Sequence, residues 1–491
     1  MQFLNTVFLL LIGYGYLAEG RGLLRQMFPK DIPQHAKPGG DPGKPLFLTP
    51  YIKQGKFQEA HNLSRVGPLE GTSVTSYAGF FTVNSTYNSN MYFWFVPAQT
   101  NASEAPVLLW LQGGPGGSSL FGLFVEHGPF SVTKEGTLKA RPWTWTKKYS
   151  VLYIDNPVGT GFSFTDSDDG YARNEDDVAT NLYSALYQFF QVFSEYQKND
   201  FYATGESYAG KYVPAIGERI HALNPEAKMK INLKGVMIGD GLCDPLSMFP
   251  AYPELMYQTS QIDDTQKKVA DQYVAEGSFD DFINGDKTPY PSFWQNATGS
   301  TNYYNYLKVQ AFSEIILGQN SFWTNSTGSM DTYNYLRIQS PVEFNYYGPY
   351  LAKANVRHAI HVGNLTYHGG DKVEEYLLED IPQSVRDRVV VLANNYKVLF
   401  YSGQLDVIVG APLTEAFLAS LEWKGQAAYK TAKRVIWKID PSDVDVAGYA
   451  RNVNDFYQVV VRNAGHILPY DQPERAFDMV DRFINGRPFH M

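Results

Sequence analysis

The chain has 491 residues, 44% of them hydrophobic, enough for a large core in one big α/β domain with insertions or in two domains. Its net charge is −9 with no basic block, which excludes nucleic acid as an expected partner. Cys243 is the only cysteine, so no intrachain disulfide can form, and stability must come from packing with glycans as the remaining aid.

Residues 1–20 read as a cleaved signal peptide. Phe3–Ala18 is apolar and rich in Leu and Phe, and Ala18 and Gly20 put small residues where a signal peptidase inspects the chain. That run is too short to span a bilayer comfortably, and no other segment is long and apolar enough, so no membrane association is expected. Residues 21–50, rich in Pro, Gly and Lys with little periodicity, are expected to form a flexible arm or a propeptide. Six N-x-[ST] sequons, at Asn62, Asn84, Asn101, Asn296, Asn325 and Asn364, agree with passage through the secretory pathway.

From residue 51 onward, short apolar runs alternate with helical stretches. Strands are expected at Tyr92–Val96, Val107–Leu111, Val151–Ile154, Phe201–Thr204, Leu233–Ile238, Val398–Tyr401, Val435–Ile439 and Tyr457–Val461. Helices are expected at Asp177–Tyr196, Pro412–Leu421 and Pro473–Ile484. Near-continuous apolar strands suit a sheet covered on both faces, and the alternation predicts an α/β fold with a doubly wound, mostly parallel sheet. Its two parts are residues 51–241 and 351–491.

Residues 242–350, dominated by Tyr, Asn, Ser and Gly, break this regularity and are expected to be an insertion capping the site. Inside it, residues 292–310 recur as residues 321–339, with twelve of nineteen aligned positions identical. A tandem duplication accounts for this. Each copy carries a sequon, so the expected role is a glycosylated surface loop with no catalytic part.

The chemistry begins at Gly205-Glu206-Ser207-Tyr208-Ala209, between a strand and a helix. This is a variant of the G-x-S-x-G nucleophile elbow, in which a sharp turn lifts a serine hydroxyl clear of the sheet. A serine nucleophile needs a base and a group to orient it. His466 lies on a loop between the Val461 strand end and a helix, and Asp406 lies just past the strand that ends near Tyr401. A single Asp or His in a loop is ordinarily a cap or a solvated side chain. The order Ser207, Asp406, His466, each beyond the C-terminal end of a strand, matches a hydrolase triad.

Gln112-Gly113-Gly114-Pro115-Gly116-Gly117 follows another strand, and such glycines leave amide N–H groups free to face a developing oxyanion. Gly114 and Tyr208 are the expected donors. A phosphate loop is discarded because the G-K-[ST] ending is missing. No cofactor and no metal ligand set are expected.

Four of these stretches, GESYAG, WLQGGPGGSS, VLYIDNPVGTGFSF (151–164) and GHILPYDQP (465–473), resemble the main motifs of the serine carboxypeptidases, in the same order, and the likeness spans roughly residues 70–486. Within that family the chain is most similar to the vitellogenic-type carboxypeptidases of insects and their animal relatives. The resemblance implies an α/β-hydrolase fold and a Ser207–His466–Asp406 triad acting through an acyl-enzyme. It implies peptide substrates with a free C-terminus, whose carboxylate is held by Gln112, Gly113, Glu126 and Glu206. It also leaves room for a homodimer, and for a secreted protein or one in an acidic lysosome-like or yolk compartment.

Departures from the family pattern are Gln112 where Asn is usual, and Gly117 and Val409 where cysteines are common. A carboxylate recognises a carboxylate favourably only if one is protonated, so Glu126 and Glu206 are expected to share a proton at acidic pH. Two other readings stand beside this one: an acyltransferase on the same scaffold, and a non-catalytic storage or chaperone protein.

Overall fold

The computed structural model describes residues 32–37, 39–276 and 322–490. The signal-peptide expectation, the sequon at Asn296 and the first repeat copy lie outside these residues. Ten strands form the central sheet: β1 (Tyr77–Asn84), β2 (Ser89–Val96), β3 (Val107–Leu111), β4 (Ser150–Ile154), β5 (Phe201–Glu206), β6 (Leu233–Gly239), β7 (Lys397–Gly403), β8 (Val435–Trp437), β9 (Gly448–Val453) and β10 (Phe456–Val461). Their spatial order is β1-β2-β4-β3-β5-β6-β7-β10-β9-β8. The middle strands, from β4 to β10, pair in parallel, and antiparallel strands close both edges.

The apolar runs that mark the strands are buried throughout in β3 (VLLWL) and β5 (FYATGE), as expected for strands covered on both sides. Helix α1 (Glu175–Val192) covers one face. Its start is set by Asn174, whose Oδ1 accepts from the Asp177 N–H at 2.9 Å, and by three acidic residues in the first turn. Helix α2 (Ala209–Leu223) packs beside it, followed by α3 (Arg386–Asn395).

Helix α4 (Ala411–Ser420) and helix α5 (Pro473–Asn485) complete the layers. Phe190 of α1 meets Phe201, whereas Phe483 of α5 meets Tyr202. Successive strand residues point to opposite faces, so α1 and α5 lie on opposite sides of the sheet.

The chain winds outward from β3 to β4, then crosses back to β5 and continues through β6, β7 and β10. The order therefore reverses between β3 and β5, and the loops leaving their carboxyl ends diverge to open a crevice. Gln112 follows β3 and Ser207 follows β5 there.

The expectation of a flexible arm over residues 21–50 needs correction for its described part. Gln34 O accepts from the Tyr367 N–H at 2.8 Å and from Arg357 Nη2 at 2.9 Å. Leu46 and Leu48 exchange backbone bonds with Phe80, and Leu48 is fully buried. Low periodicity signalled only the absence of a helix or strand; irregular backbone that finds fixed partners is still held in place.

Strands β1 and β9 were not expected from sequence. Both are sheet-margin strands with mixed polar and apolar residues, which weakens the apolar-run signal. Strand β8 stops at Trp437, two residues short of the expected Ile439.

Candidate active site

Strand β5 ends on Glu206, and Ser207 turns the chain with φ +62°, a left-handed conformation that non-glycine residues rarely hold. The turn is secured on both sides. The Ser207 N–H donates to Gly239 O at 2.9 Å, and the Ser207 carbonyl accepts from the Gly210 and Leu242 N–H groups, each at 2.9 Å. The glycine loop lies directly on this elbow. A Cβ at Gly113 would come within 2.5 Å of Tyr208 N and 2.6 Å of Ser207 Cβ, so only glycine fits there. Gly114, at φ +125°, uses a backbone region closed to other residues.

His466 and Asp406 form a buried pair, with Nδ1 2.7 Å from Asp406 Oδ2. Asp406 is held in turn by the Val409 N–H, which donates to Oδ1 at 3.1 Å. Burial alone would lower the proton affinity of His466, but Asp406, Glu206 and Asp331 together raise its pKa above the ordinary histidine value. Its Nε2 is buried and makes no hydrogen bond to a described group.

One residue before the serine, Glu206 is fully buried. Gln112 Nε2 donates to Glu206 Oε1 at 2.7 Å, and Trp110 Nε1 donates to Gln112 Oε1 at 2.9 Å. An indole N–H can only donate, so it fixes which end of the Gln112 amide faces the glutamate. Glu126, also fully buried, interacts with Glu206 from the turn Gly122–Glu126.

Burial, then the neighbouring Glu206, pushes the Glu126 pKa well above the usual carboxyl range, with Arg141 and Gln112 opposing. Burial pushes Glu206 up to about 7, against the pull of His466 and Gln112. A pair of carboxyl groups in this setting keeps a proton well above the pH at which either would lose it in water.

Tyr208 is anchored from below. Its hydroxyl donates to Asp380 Oδ2 at 2.8 Å, and the buried Lys211 ammonium meets the same oxygen at 2.7 Å. The amide of Tyr208 thus belongs to a residue whose side chain is tied to a buried ion pair.

The duplicated segment behaves differently from expectation. Its second copy, expected as a surface loop with no catalytic part, packs against His466 and the Asp406 loop. The Tyr333 ring stacks on His466 with centroids 4.9 Å apart and planes 21° apart. Tyr333 O accepts from the His466 N–H at 2.6 Å, and Thr332 O accepts from the Val407 and Ile408 N–H groups, each at 3.1 Å. The copy is tied beyond the histidine by Asp471, which accepts from Asn334 Nδ2 at 3.0 Å, from the Gly465 N–H at 2.7 Å, and from Arg337. A sequon locates one surface turn, and the rest of the segment is free to be buried.

The family profile described as serine carboxypeptidase matches residues 68–486. The chain belongs to the serine carboxypeptidase family. It is 53% identical over 464 residues to the "Probable serine carboxypeptidase CPVL" of Homo sapiens, covering 92% of this chain and 91% of the relative. It is 44% identical to the "Venom serine carboxypeptidase" of Apis mellifera (91% of this chain, 92% of the relative) and 41% identical to the "Vitellogenic carboxypeptidase" of Aedes aegypti (91% of each).

The crystal structure of KEX1(delta)p, a prohormone-processing carboxypeptidase from Saccharomyces cerevisiae, superposes with a TM-score of 0.71, covering 87% of this chain and 96% of that one at 21% identity. This carboxypeptidase therefore has the α/β-hydrolase fold, acts as a serine-type peptide hydrolase, and takes peptides as substrates.

Two neighbours of the carboxypeptidase's site escaped the sequence reading. Asp240 sits immediately after β6, at the same kind of strand end that singled out Asp406, so that signal was available. Tyr333 had no such signal, because nothing in its surroundings marks it apart from Tyr304 in the first copy.

Proposed function

We propose that this carboxypeptidase releases C-terminal amino acids at acidic pH, with Ser207 as nucleophile, His466 as general base and acid, and Asp406 as the group that orients His466. Ser207 Oγ attacks the scissile carbonyl as His466 Nε2 takes its proton. The Gly114 and Tyr208 amides receive the developing oxyanion, and the proton then passes to the leaving amine. Water repeats the sequence on the acyl-enzyme.

The substrate's terminal carboxylate binds to the second N–H of Gln112, the Gly113 amide and the proton shared by Glu126 and Glu206. The observation that carries this reading is the buried Glu206, paired with Glu126 and Gln112 directly beside Ser207. A general hydrolase has no use for a proton held there, whereas an exopeptidase that grips a carboxylate does.

Ser207→Ala is expected to abolish release of free amino acids from a blocked dipeptide and to prevent labelling by an organophosphonate. A wild-type chain that resists the phosphonate would instead support a storage or chaperone role. A chain that transfers an acyl group from an activated ester to an alcohol faster than it hydrolyses peptide would support the acyltransferase.

Entry to the secretory pathway is supported by the sequons. Asn62, Asn101, Asn325 and Asn364 are exposed and Asn84 is half-buried, and digestion with an endoglycosidase tests their use. No helix among the described residues is long and apolar enough to cross a membrane. A homodimer is tested by sedimentation mass.

A further inference from the structure

Asp240 is a buried acid beside the candidate triad that the mechanism above leaves unused. It follows β6, between the strand that delivers Ser207 and the strand that leads to Asp406. Its backbone is held at φ +42°, unusual for a non-glycine residue, by an N–H that donates to Tyr401 O at 2.8 Å. Its Oδ1 accepts from the Gly403 N–H at 2.9 Å, while Oδ2 is buried and makes no hydrogen bond to a described group. An oxygen of Asp240, an oxygen of Asp406 and a ring nitrogen of His466 all lie within 4.8 Å of one another.

We propose that Asp240 is a positioning residue that holds a proton and directs it at Asp406, keeping the Asp406 carboxylate turned toward His466 Nδ1.

The charges facing Asp240 lead to this. Asp406 comes from the loop after β7, His466 from the loop after β10, Glu206 from the end of β5 and the Tyr401 hydroxyl from β7. None of these is a permanent cation: in the neutral form that acts as base His466 brings no charge, and when protonated its Nδ1 pairs with Asp406, not with Asp240. Two carboxylates without a cation cannot both stay ionised in a site closed to water.

Asp406 is the one with reason to be the anion, because it accepts from His466 and from the Val409 N–H. Asp240 has one backbone donor. Burial and then the adjacent Asp406 raise its proton affinity, with the Gly403 amide opposing. A protonated Asp240 gives Asp406 a donor in addition to His466 and the Val409 N–H. That donor restrains carboxylate rotation, much as Trp110 restrains Gln112.

The inference rests on the triad reading, and the test separates the two. Asp240→Asn keeps a donor that cannot ionise, and it is expected to keep kcat within about threefold of wild type. Asp240→Ala removes the donor and is expected to lower kcat roughly 10- to 100-fold, the scale of a hydrogen bond to a charged group, with KM nearly unchanged. Infrared difference spectra of wild type against Asp240→Asn at acidic pH are expected to show the carbonyl stretch of a protonated carboxylic acid lost in the variant.

The proposal is overturned if Asn is as damaging as Ala, which would mean an anion is required, or if Ala matches wild type. It is also overturned if the infrared spectra show no lost acid band. That last measurement decides alone should Asp240→Ala fail to fold. Full activity in Ser207→Ala would overturn the triad and this inference together, whereas an inactive Ser207→Ala beside equal Asn and Ala variants overturns only this one.

Discussion

A buried carboxyl group can bind an anion only while it holds a proton, and that condition sets the pH behaviour of Glu206. Its pKa is pushed up to about 7, so it is protonated below that and ionised above it. Once ionised, it repels the substrate's terminal carboxylate. For a blocked dipeptide with a free C-terminus, kcat/KM is therefore expected to fall above pH about 7, approaching tenfold per pH unit. Glu206→Gln is expected to flatten that limb, and a substrate with an amidated C-terminus to lack it. A profile rising steadily from acid to alkaline pH would sink the assignment. At Gly113 the constraint is steric. Gly113→Ala would force a Cβ to within 2.5 Å of Tyr208 N, displacing the amide proposed to receive the oxyanion. A loss of roughly 100- to 1,000-fold in kcat is expected, read from single-turnover acylation by an activated ester.

Among the elements, the duplicated insertion carries an unexpected load. Its second copy lays Tyr333 over His466 and ties itself to Asp471, so this segment supports the histidine proposed as general base. Removing the stacked ring costs about 0.5–1.5 kcal/mol of aromatic contact. Tyr333→Ala is thus expected to lower kcat by about 3- to 10-fold with little change in KM, and Tyr333→Phe to restore it. Equal kcat for Ala and Phe would show that the backbone bond from His466 does the holding alone. Helix α2 and the Asp380 loop are joined by the buried Lys211–Asp380 pair, which also receives the Tyr208 hydroxyl. Asp380→Ala strands an ammonium in the interior and is expected to cost about 3–5 kcal/mol, seen as a lower urea midpoint. The double variant Asp380→Leu, Lys211→Met is expected to recover much of that loss, because it leaves no unpaired charge behind.

For the whole molecule, several buried acids give stability a definite pH dependence. Glu206 and Asp155 are pushed up to about 7, and Glu126, Glu175 and Asp240 are also raised, in every case chiefly by burial. The folded chain holds these protons at a pH where the unfolded chain has released them, so their contribution is complete below about pH 4 and is lost as pH rises through about 7. Each group near 7 withdraws roughly 3–4 kcal/mol once it is forced to ionise. Asp481, brought below the usual range by Lys148 and Tyr149 against its burial, acts in the opposite sense. The calorimetric Tm is accordingly expected to be higher near pH 5 than near pH 8, and a Tm rising over that interval would contradict the buried-acid account.

Much of the architecture was legible along the chain because its signals are local. Apolar runs marked the buried strands β3 to β7, a small-residue turn marked Ser207, and strand ends marked Asp406 and His466. The margin strands β1 and β9 and the docked residues 32–37 and 39–50 were not legible, since their order comes from partners distant in sequence. By itself the sequence determined the fold class, the order of the candidate triad and the glutamate beside the serine. Only the tertiary structure decided that this glutamate lies buried against Glu126 and Gln112, that Asp240 lies beside Asp406 and His466, and that Tyr333 is stacked on His466. Burial and the approach of remote charges create proton affinities and ring contacts, and neither is a property of any short stretch of chain.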